Sequence, residues 1–158
     1  MKDALRASAF GQPSDTLQIR LEPTPDWHRD IHARPLRALF NEIHRARQAK
    51  CPALIVLGLR AALDAMCNEM WGDIGTFKDK LQKLTDEGLI GKRQREQIAA
   101  AIEIGNATTH RGHIPTIRDA ETVYDIVESL VKQHYSLNVR ASNAAKRVPA
   151  RLKGRAPQ

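Results

Sequence analysis

Apolar residues recur along this chain at the spacing of amphipathic helices. The first stripe follows Pro35 and has the i, i+3, i+4, i+7 pattern of one buried helix face. Its members are Leu36, Leu39, Phe40 and Ile43. Residues 52–70 are apolar nearly all round, which is typical of a helix in the middle of a bundle.

Three more helices are predicted downstream, over about 77–87, over about 92–110 and from 117 to about 136. Two of them are preceded by a Thr-x-x-Asp capping box, in which a threonine hydroxyl and an aspartate satisfy each other's backbone amides. The pairs are Thr76 with Asp79, and Thr116 with Asp119. Residues 16–21 alternate polar and apolar positions, the period of a short half-buried strand.

The predicted fold class is all-α, an antiparallel and short-looped bundle of about five helices. An irregular N-terminal arm is expected over residues 1–33 and the helical domain over 34–138. A basic tail over 139–158 is expected to be disordered, or helical only when bound. The length of 158 residues fits one domain. The 42% of apolar residues suffice for a core, which must be mainly aliphatic because only 4% of the chain is aromatic.

The sequence lacks the features of a membrane or secreted protein. No apolar run approaches the roughly 18 residues that a membrane span needs, and the N-terminus does not resemble a signal peptide. The two cysteines, Cys51 and Cys67, are not spaced as a metal-binding pair, so reduced thiols are expected. We therefore expect a cytoplasmic protein without a cofactor or a bound metal.

The positive charge is concentrated in the tail. Residues 139–158 hold six basic and no acidic residues, which leaves about +1 of the net charge of +7 for the rest of the chain. The six are Arg140, Lys146, Arg147, Arg151, Lys153 and Arg155. They form a candidate nucleic-acid contact without sequence specificity. The alternative is a solubilising tail that binds nothing.

The most informative local motif spans residues 105–110, Gly-Asn-Ala-Thr-Thr-His. Asn106 and His110 are four residues apart and share one helix face at the edge of the core. Two interpretations stay open: a half-buried hydrogen-bonded pair that locks the helix end, or an acid–base site. Gly105 costs helix stability, so it indicates a close approach by another helix or another chain.

Several short motifs agree in order and spacing with a known family. They are Leu-Arg-Ala-Ala-Leu-Asp at 59–64, Asp-Glu-Gly-Leu-Ile at 86–90 and the 105–110 motif, followed by an amphipathic helix. Over about residues 34–136 the chain resembles the bacterial family called domain of unknown function 4145. That family resembles the HEPN superfamily, the higher-eukaryote-and-prokaryote nucleotide-binding helical proteins.

The resemblance implies a homodimer and a link to phage defence or mobile elements. Some superfamily members are metal-independent ribonucleases whose motif is Arg, four to six residues, then His. Here His110 matches the histidine and Asn106 the polar residue after the arginine, while Gly105 stands in place of the arginine. Arg60 on the second helix is one candidate that replaces it, although Asp64, one turn away, is expected to pair with Arg60. Arg111 of a partner chain is the other candidate.

Two functions follow. The first is a non-catalytic, HEPN-like module that dimerises and binds RNA or a protein partner. The second is a metal-independent endoribonuclease in which His110 acts as base, assisted by Asn106 and an arginine from elsewhere, with Arg60 as the candidate. The pairs His110/His113 and His28/His32 lack the further ligands of a metal site.

Overall fold

A computed structural model describes residues 22–149, and over this range the chain is helical and contains no β-strand. The possible strand at 16–21 lies outside the described residues. A 3₁₀ turn precedes the bundle, and a π-helical turn follows its fifth helix. The elements are the 3₁₀ turn Asp26–Asp30, α1 (Arg34–Gln48), α2 (Pro52–Trp71), α3 (Phe77–Asp86), α4 (Lys92–His110), α5 (Ile117–Lys132), the π turn Gln133–Leu137 and α6 (Asn138–Ala145).

The second helix is the centre of the bundle, as its apolar sequence predicts. It packs against α1, α4 and α5. Its buried side chains are mainly aliphatic, which agrees with the shortage of aromatic residues; they include Ile55, Val56, Leu59, Leu63 and Met66. The prediction of an all-α bundle of about five helices is confirmed, with α6 as an extension of the fifth.

Both predicted capping boxes form. The hydroxyl of Thr76 accepts from the amide of Asp79, and the Thr76 amide donates to the Asp79 carboxylate at 2.9 Å. Thr116 and Asp119 repeat the arrangement at the start of α5, with the corresponding distance 3.1 Å. These caps fix where α3 and α5 begin, because they satisfy amides that have no partner inside the helix.

The end of the N-terminal arm is more ordered than its sequence predicts. Trp27 and Ile31 are buried in the core, and the Trp27 and Phe40 rings pack edge to face with centroids 5.3 Å apart. The indole of Trp27 donates to Glu128 on α5 at 3.2 Å. This segment has no helical period of its own, so only its contacts with α1 and α5 reveal that it belongs to the core.

The basic segment also differs from expectation where the structure describes it. Instead of losing order after residue 138, the chain continues from α5 through the π turn into α6. The alanine-rich sequence of α6 favours helix, but none of its residues is buried. Arg151, Lys153 and Arg155 lie outside the described residues. None of the helices described is long and apolar enough to cross a membrane.

Candidate functional site

The helices α2 and α4 approach closely at Gly105. A Cβ atom at this position would lie 3.1 Å from Cδ and 3.3 Å from Cβ of Arg60. The missing side chain therefore provides the space in which the aliphatic part of Arg60 lies. The close approach predicted from Gly105 is confirmed, but the neighbour belongs to the same chain, so Gly105 no longer indicates a second chain.

The guanidinium of Arg60 is held by Asn106. Its Nε donates to the Asn106 Oδ1 across 2.9 Å, and both side chains are half-buried. Because Oδ1 accepts from Arg60, the amide nitrogen of Asn106 is the group that donates to the Glu103 carboxylate. The structure thus brings an arginine from α2 next to the polar residue of the 105–110 motif.

The expected pairing of Arg60 with Asp64 is wrong. Asp64 instead contacts Lys80 on α3, with Oδ1 and Nζ 2.5 Å apart, and accepts from Asn68 at 3.3 Å. Only 4% of the Lys80 side chain is exposed, and a buried ammonium needs a counter-charge. Asp64 therefore pairs with Lys80 instead of Arg60. Among residues 22–149, Arg60 then has no carboxylate at ion-pair distance.

The sequence analysis did not identify Lys80 as a buried residue. Its spacing indicates burial, because Lys80 lies three residues after Phe77 and four before Leu84, on the inward stripe of α3. A lysine at such a position indicates either a solvent-reaching side chain or a buried pair. The sequence offers no way to choose the carboxylate on another helix.

The half-buried hydrogen bond expected between Asn106 and His110 is not formed. His110 is exposed at the end of α4, and the described part of the chain supplies no hydrogen bond to its ring. Asn106 bonds to Arg60 rather than to His110. The two residues still share a helix face, with a rise of about 6 Å between them, so the imidazole stands one turn beyond the held guanidinium.

Glu103 and Arg111 complete the polar cluster. Arg111 Nη2 and Glu103 Oε1 are 2.6 Å apart. This hydrogen bond and the charge of Arg111 lower the pKa of the Glu103 carboxyl below its ordinary value, and a hydrogen bond with Asn106 adds to the effect. The carboxylate is therefore ionised and neutralised by Arg111, so Arg60 supplies the surplus positive charge.

The arrangement is suited to holding an anion. A guanidinium with its stem packed and one nitrogen tied keeps other donors for a phosphate oxygen. The carbonyl end of α4 opposes an anion by about 0.3–1 kcal/mol. Charge-assisted hydrogen bonds contribute about 1.5–3 kcal/mol each, so the guanidinium outweighs the helix dipole.

The other predicted contact residues lie elsewhere. Arg140 on α6 approaches Asp30 at 3.7 Å, while Lys146 and Arg147 are exposed after the end of α6. The cluster at the end of α4 is near the start of α5, whereas α6 follows the far end of α5. The intervening α5 and π turn are about 30 Å long, so the two sets of cations form separate surfaces.

The two histidines of the arm contact different helices, His28 contacting α1 and His32 contacting α2. His28 Nδ1 and Asn41 Oδ1 are 2.9 Å apart, and His32 Nε2 lies 3.1 Å from Glu69 Oε1. Within residues 22–149 no three His, Cys, Asp or Glu side chains are grouped to hold a metal ion.

Fold and site define an all-α helical domain with a polar cluster where α2 crosses the C-terminal end of α4. A family model described as Domain of unknown function (DUF4145) matches residues 41–152, and the chain belongs to that family. The match extends through α6 and beyond it. No curated protein and no solved structure matches the chain.

Proposed function

We propose that this protein is a non-catalytic helical module that binds RNA by its phosphate groups. The surface is the cluster of Arg60, Asn106 and His110 at the crossing of α2 and α4. The observation that carries the proposal is the bond from Arg60 Nε to Asn106 Oδ1. It holds a guanidinium that has no carboxylate partner within residues 22–149, one turn from the exposed imidazole of His110. A HEPN-like ancestry, a homodimer and a role in phage defence or mobile elements belong to this proposal and rest on the resemblance.

The absence of fixed geometry at His110 favours binding over catalysis. A catalytic base needs a defined nitrogen facing the proton it removes, and a second hydrogen bond usually sets that orientation. His110 is exposed, and no side chain of the described residues orients its ring.

Binding is tested with a labelled single-stranded RNA and fluorescence anisotropy at several salt concentrations. Arg60→Met keeps most of the stem in the Gly105 space and removes the charge, so we expect weaker binding and a shallower salt dependence. Arg93→Met, an exposed site at the other end of α4, changes the net charge equally and serves as the control. Equal losses in both variants would reduce the effect to net charge and contradict the assigned surface.

The basic residues after α5 are tested separately. If all six engaged single-stranded RNA, the logarithm of affinity would fall with the logarithm of salt with a slope of about −4. The described members, Arg140, Lys146 and Arg147, form a surface about 30 Å from the cluster. A variant with glutamines at these three positions should therefore lose affinity independently of Arg60→Met.

The second candidate is a metal-independent endoribonuclease, and the position of Arg60 favours it. Arg60 extends from α2 to Asn106 on α4. Its guanidinium can therefore replace the arginine that the superfamily motif has at the position of Gly105. The same RNA incubated with EDTA separates the candidates. Cleavage that His110→Ala abolishes, with an unchanged melting temperature, would replace the non-catalytic proposal, whereas binding without cleavage supports it.

A further inference from the structure

The loop between α4 and α5 presents an apolar side chain to solvent just after the end of α4. Ile114 in this loop is 76% exposed, the highest value of any large hydrophobic residue in 22–149, and Ile117 at the start of α5 is 42% exposed. Isolated exposed apolar residues are common on proteins. These two follow directly on the helix that carries Asn106 and His110, so they join the RNA surface if the loop lies close to that cluster.

A hydrogen bond and a buried proline fix the position of this loop on the end of α4. Gly112 has a φ of 65°, a left-handed conformation that ends the helix and turns the chain back. The amide of His113 then donates to the carbonyl of Ala107 at 3.2 Å, and Pro115 is buried. Ile114 therefore lies between two anchored residues, and its exposure is a property of a defined loop.

The bond to Ala107 brings the loop close to the held guanidinium. Ala107 is the residue after Asn106, whose Oδ1 accepts from Arg60. Since consecutive Cα atoms are about 3.8 Å apart, the Cα of Ile114 lies within roughly 9 Å of the Ala107 carbonyl oxygen. A nucleic-acid strand advances about 3.4 Å per nucleotide when its bases are stacked, so a few nucleotides extend from the guanidinium to Ile114.

An exposed isoleucine at this place favours an unpaired base over a duplex. In an A-form duplex the bases are stacked on each other, and a protein meets mainly phosphates and 2′-hydroxyls. An aliphatic side chain gains little from these hydrated groups. An unpaired base instead offers an apolar face, and isoleucine is among the side chains that pack against or between bases. Its branched Cβ restricts χ1, so little side-chain freedom is lost on contact.

The ring of His110 provides a second contact for the same base. It is exposed at the last residue of α4, four positions before Ile114. Imidazole is one of the rings on which unpaired RNA bases stack. Stacking uses the face of the ring and needs no fixed orientation of its nitrogens, which agrees with an imidazole that no side chain in 22–149 positions.

We propose that this surface binds single-stranded RNA, with an unpaired base on Ile114 and His110 and a neighbouring phosphate on Arg60. This inference rests on the proposed function and names the substrate class of the same site. Arg60 then contributes affinity that depends on salt, and Ile114 contributes the preference for unpaired over paired bases.

Fluorescence anisotropy with one RNA sequence, presented as a single strand and as a duplex with its complement, tests the assignment. Ile114→Gln keeps a similar volume and removes the apolar surface. We expect it to bind the single strand about tenfold more weakly and the duplex as wild type does. The salt dependence should stay unchanged, because no charge is altered.

Two further variants control for the substitution. Ile114→Phe should bind the single strand at least as tightly as wild type, because a flat ring stacks on a base. Val148→Gln replaces another β-branched residue, which is 71% exposed in the turn after α6, and should bind both RNAs as wild type does. An Ile114→Phe variant that binds as weakly as Ile114→Gln would contradict the base contact.

The outcomes separate this inference from the function on which it rests. If Arg60→Met weakens RNA binding but Ile114→Gln matches wild type on both RNAs, the base contact is wrong and the phosphate surface stands. If the wild-type protein binds neither RNA, both proposals fail. An Ile114→Gln variant that retains RNA binding but sediments differently from wild type would assign the loop to a protein contact and overturn the inference. Equal losses on single strand and duplex would also overturn it.

Discussion

Arg60 on α2 donates from Nε to the Asn106 Oδ1 on α4, with 2.9 Å between the two atoms. The contact depends on two neighbours that contribute in different ways. Gly105 leaves the space for the arginine stem, and Lys80 occupies the carboxylate of Asp64 that would otherwise neutralise the guanidinium. The polar cluster is thus assembled from three helices around a glycine.

Gly105→Ala should weaken RNA binding although alanine is the better helix former. Alanine gains up to about 1 kcal/mol in α4, but its Cβ would crowd Arg60 at 3.1–3.3 Å and move the guanidinium off Asn106. We expect RNA affinity to fall about tenfold, equivalent to about 1.4 kcal/mol, with unfolding free energy within about 1 kcal/mol of wild type. Anisotropy and urea titration measure the two quantities.

Gly91→Ala is the control for that substitution. It adds the same methyl group at the N-cap of α4, where no atom lies within 4 Å. RNA binding should match wild type. If both alanine variants bind RNA equally well, the Gly105 space does not position Arg60 for binding.

The pair of Asp64 and Lys80 should contribute measurably to stability. Asp64→Asn leaves the ammonium of Lys80 buried, and among the described residues the one other carboxylate nearby is that of Asp73, at 3.9 Å. Breaking a fully buried pair costs about 3–5 kcal/mol; since the Asp64 side chain is 43% exposed, we expect about 2 kcal/mol in urea unfolding. Adding Lys80→Met should recover most of the loss.

An exposed ion pair provides the comparison. Lys83 on α3 and Glu87, the residue that follows α3, are 3.8 Å apart, and both are well exposed. Glu87→Gln should cost less than about 0.5 kcal/mol. A loss as large as that of Asp64→Asn would mean that burial of Lys80 is not the source of the effect.

The cap at Thr116 should be worth about 1 kcal/mol. Thr116→Ala removes the acceptor for the Asp119 amide and the hydroxyl that bonds to the Asp119 carboxylate, whereas Thr116→Ser retains both. We expect the alanine variant to melt about 3 °C lower, and the serine variant to melt close to wild type. Similar melting temperatures for all three proteins would argue against the cap.

Local features of the fold were predictable from the sequence, and contacts between distant residues were not. The stripe of Leu36, Phe40 and Ile43 and the Thr-x-x-Asp caps act within one helix, so their spacing alone identifies them. The burial of Trp27 depends on α1 and α5 and leaves no periodic signal. The helix α6 was expected only on binding because its charge suggested a tail, whereas continuity with α5 determines its structure.

The candidate site was predictable only in part for the same reason. The spacing of Asn106 and His110 and the role of Gly105 as a place of close approach are local features. Which side chain fills that space depends on how α2 crosses α4. The spacing of one turn predicted a pair between Arg60 and Asp64. In the structure Asp64 instead pairs with Lys80 on a third helix, because the buried ammonium needs a counter-charge.

Acid should destabilise the fold through His28. This ring is 2% exposed, bonds to Asn41 through Nδ1, and leaves Nε2 buried without a partner among the described residues. Burial lowers the pKa of His28 below the ordinary 6.5; the bond to Asn41 partly offsets this, and the nearby charges are His44, Glu128 and Lys132. At neutral pH the native ring is therefore uncharged.

The sign of the pH dependence follows from proton uptake. Below a pH of about 6.5 the unfolded chain protonates this histidine while the native state does not, so the free energy of unfolding falls as pH falls through that range towards the lower native pKa. His134, whose pKa burial also lowers, acts in the same direction. Urea unfolding at a series of pH values from about 7 to about 5 measures the slope.

His28→Gln separates the titration from the packing, because glutamine can still donate to Asn41 but does not ionise. We expect its stability to vary less with pH than that of wild type over the same range, and the double variant with His134→Gln to vary less again. A His28→Gln curve parallel to that of wild type would place the acid sensitivity in other groups. A flatter curve instead assigns the acid sensitivity to protonation of the buried His28 ring.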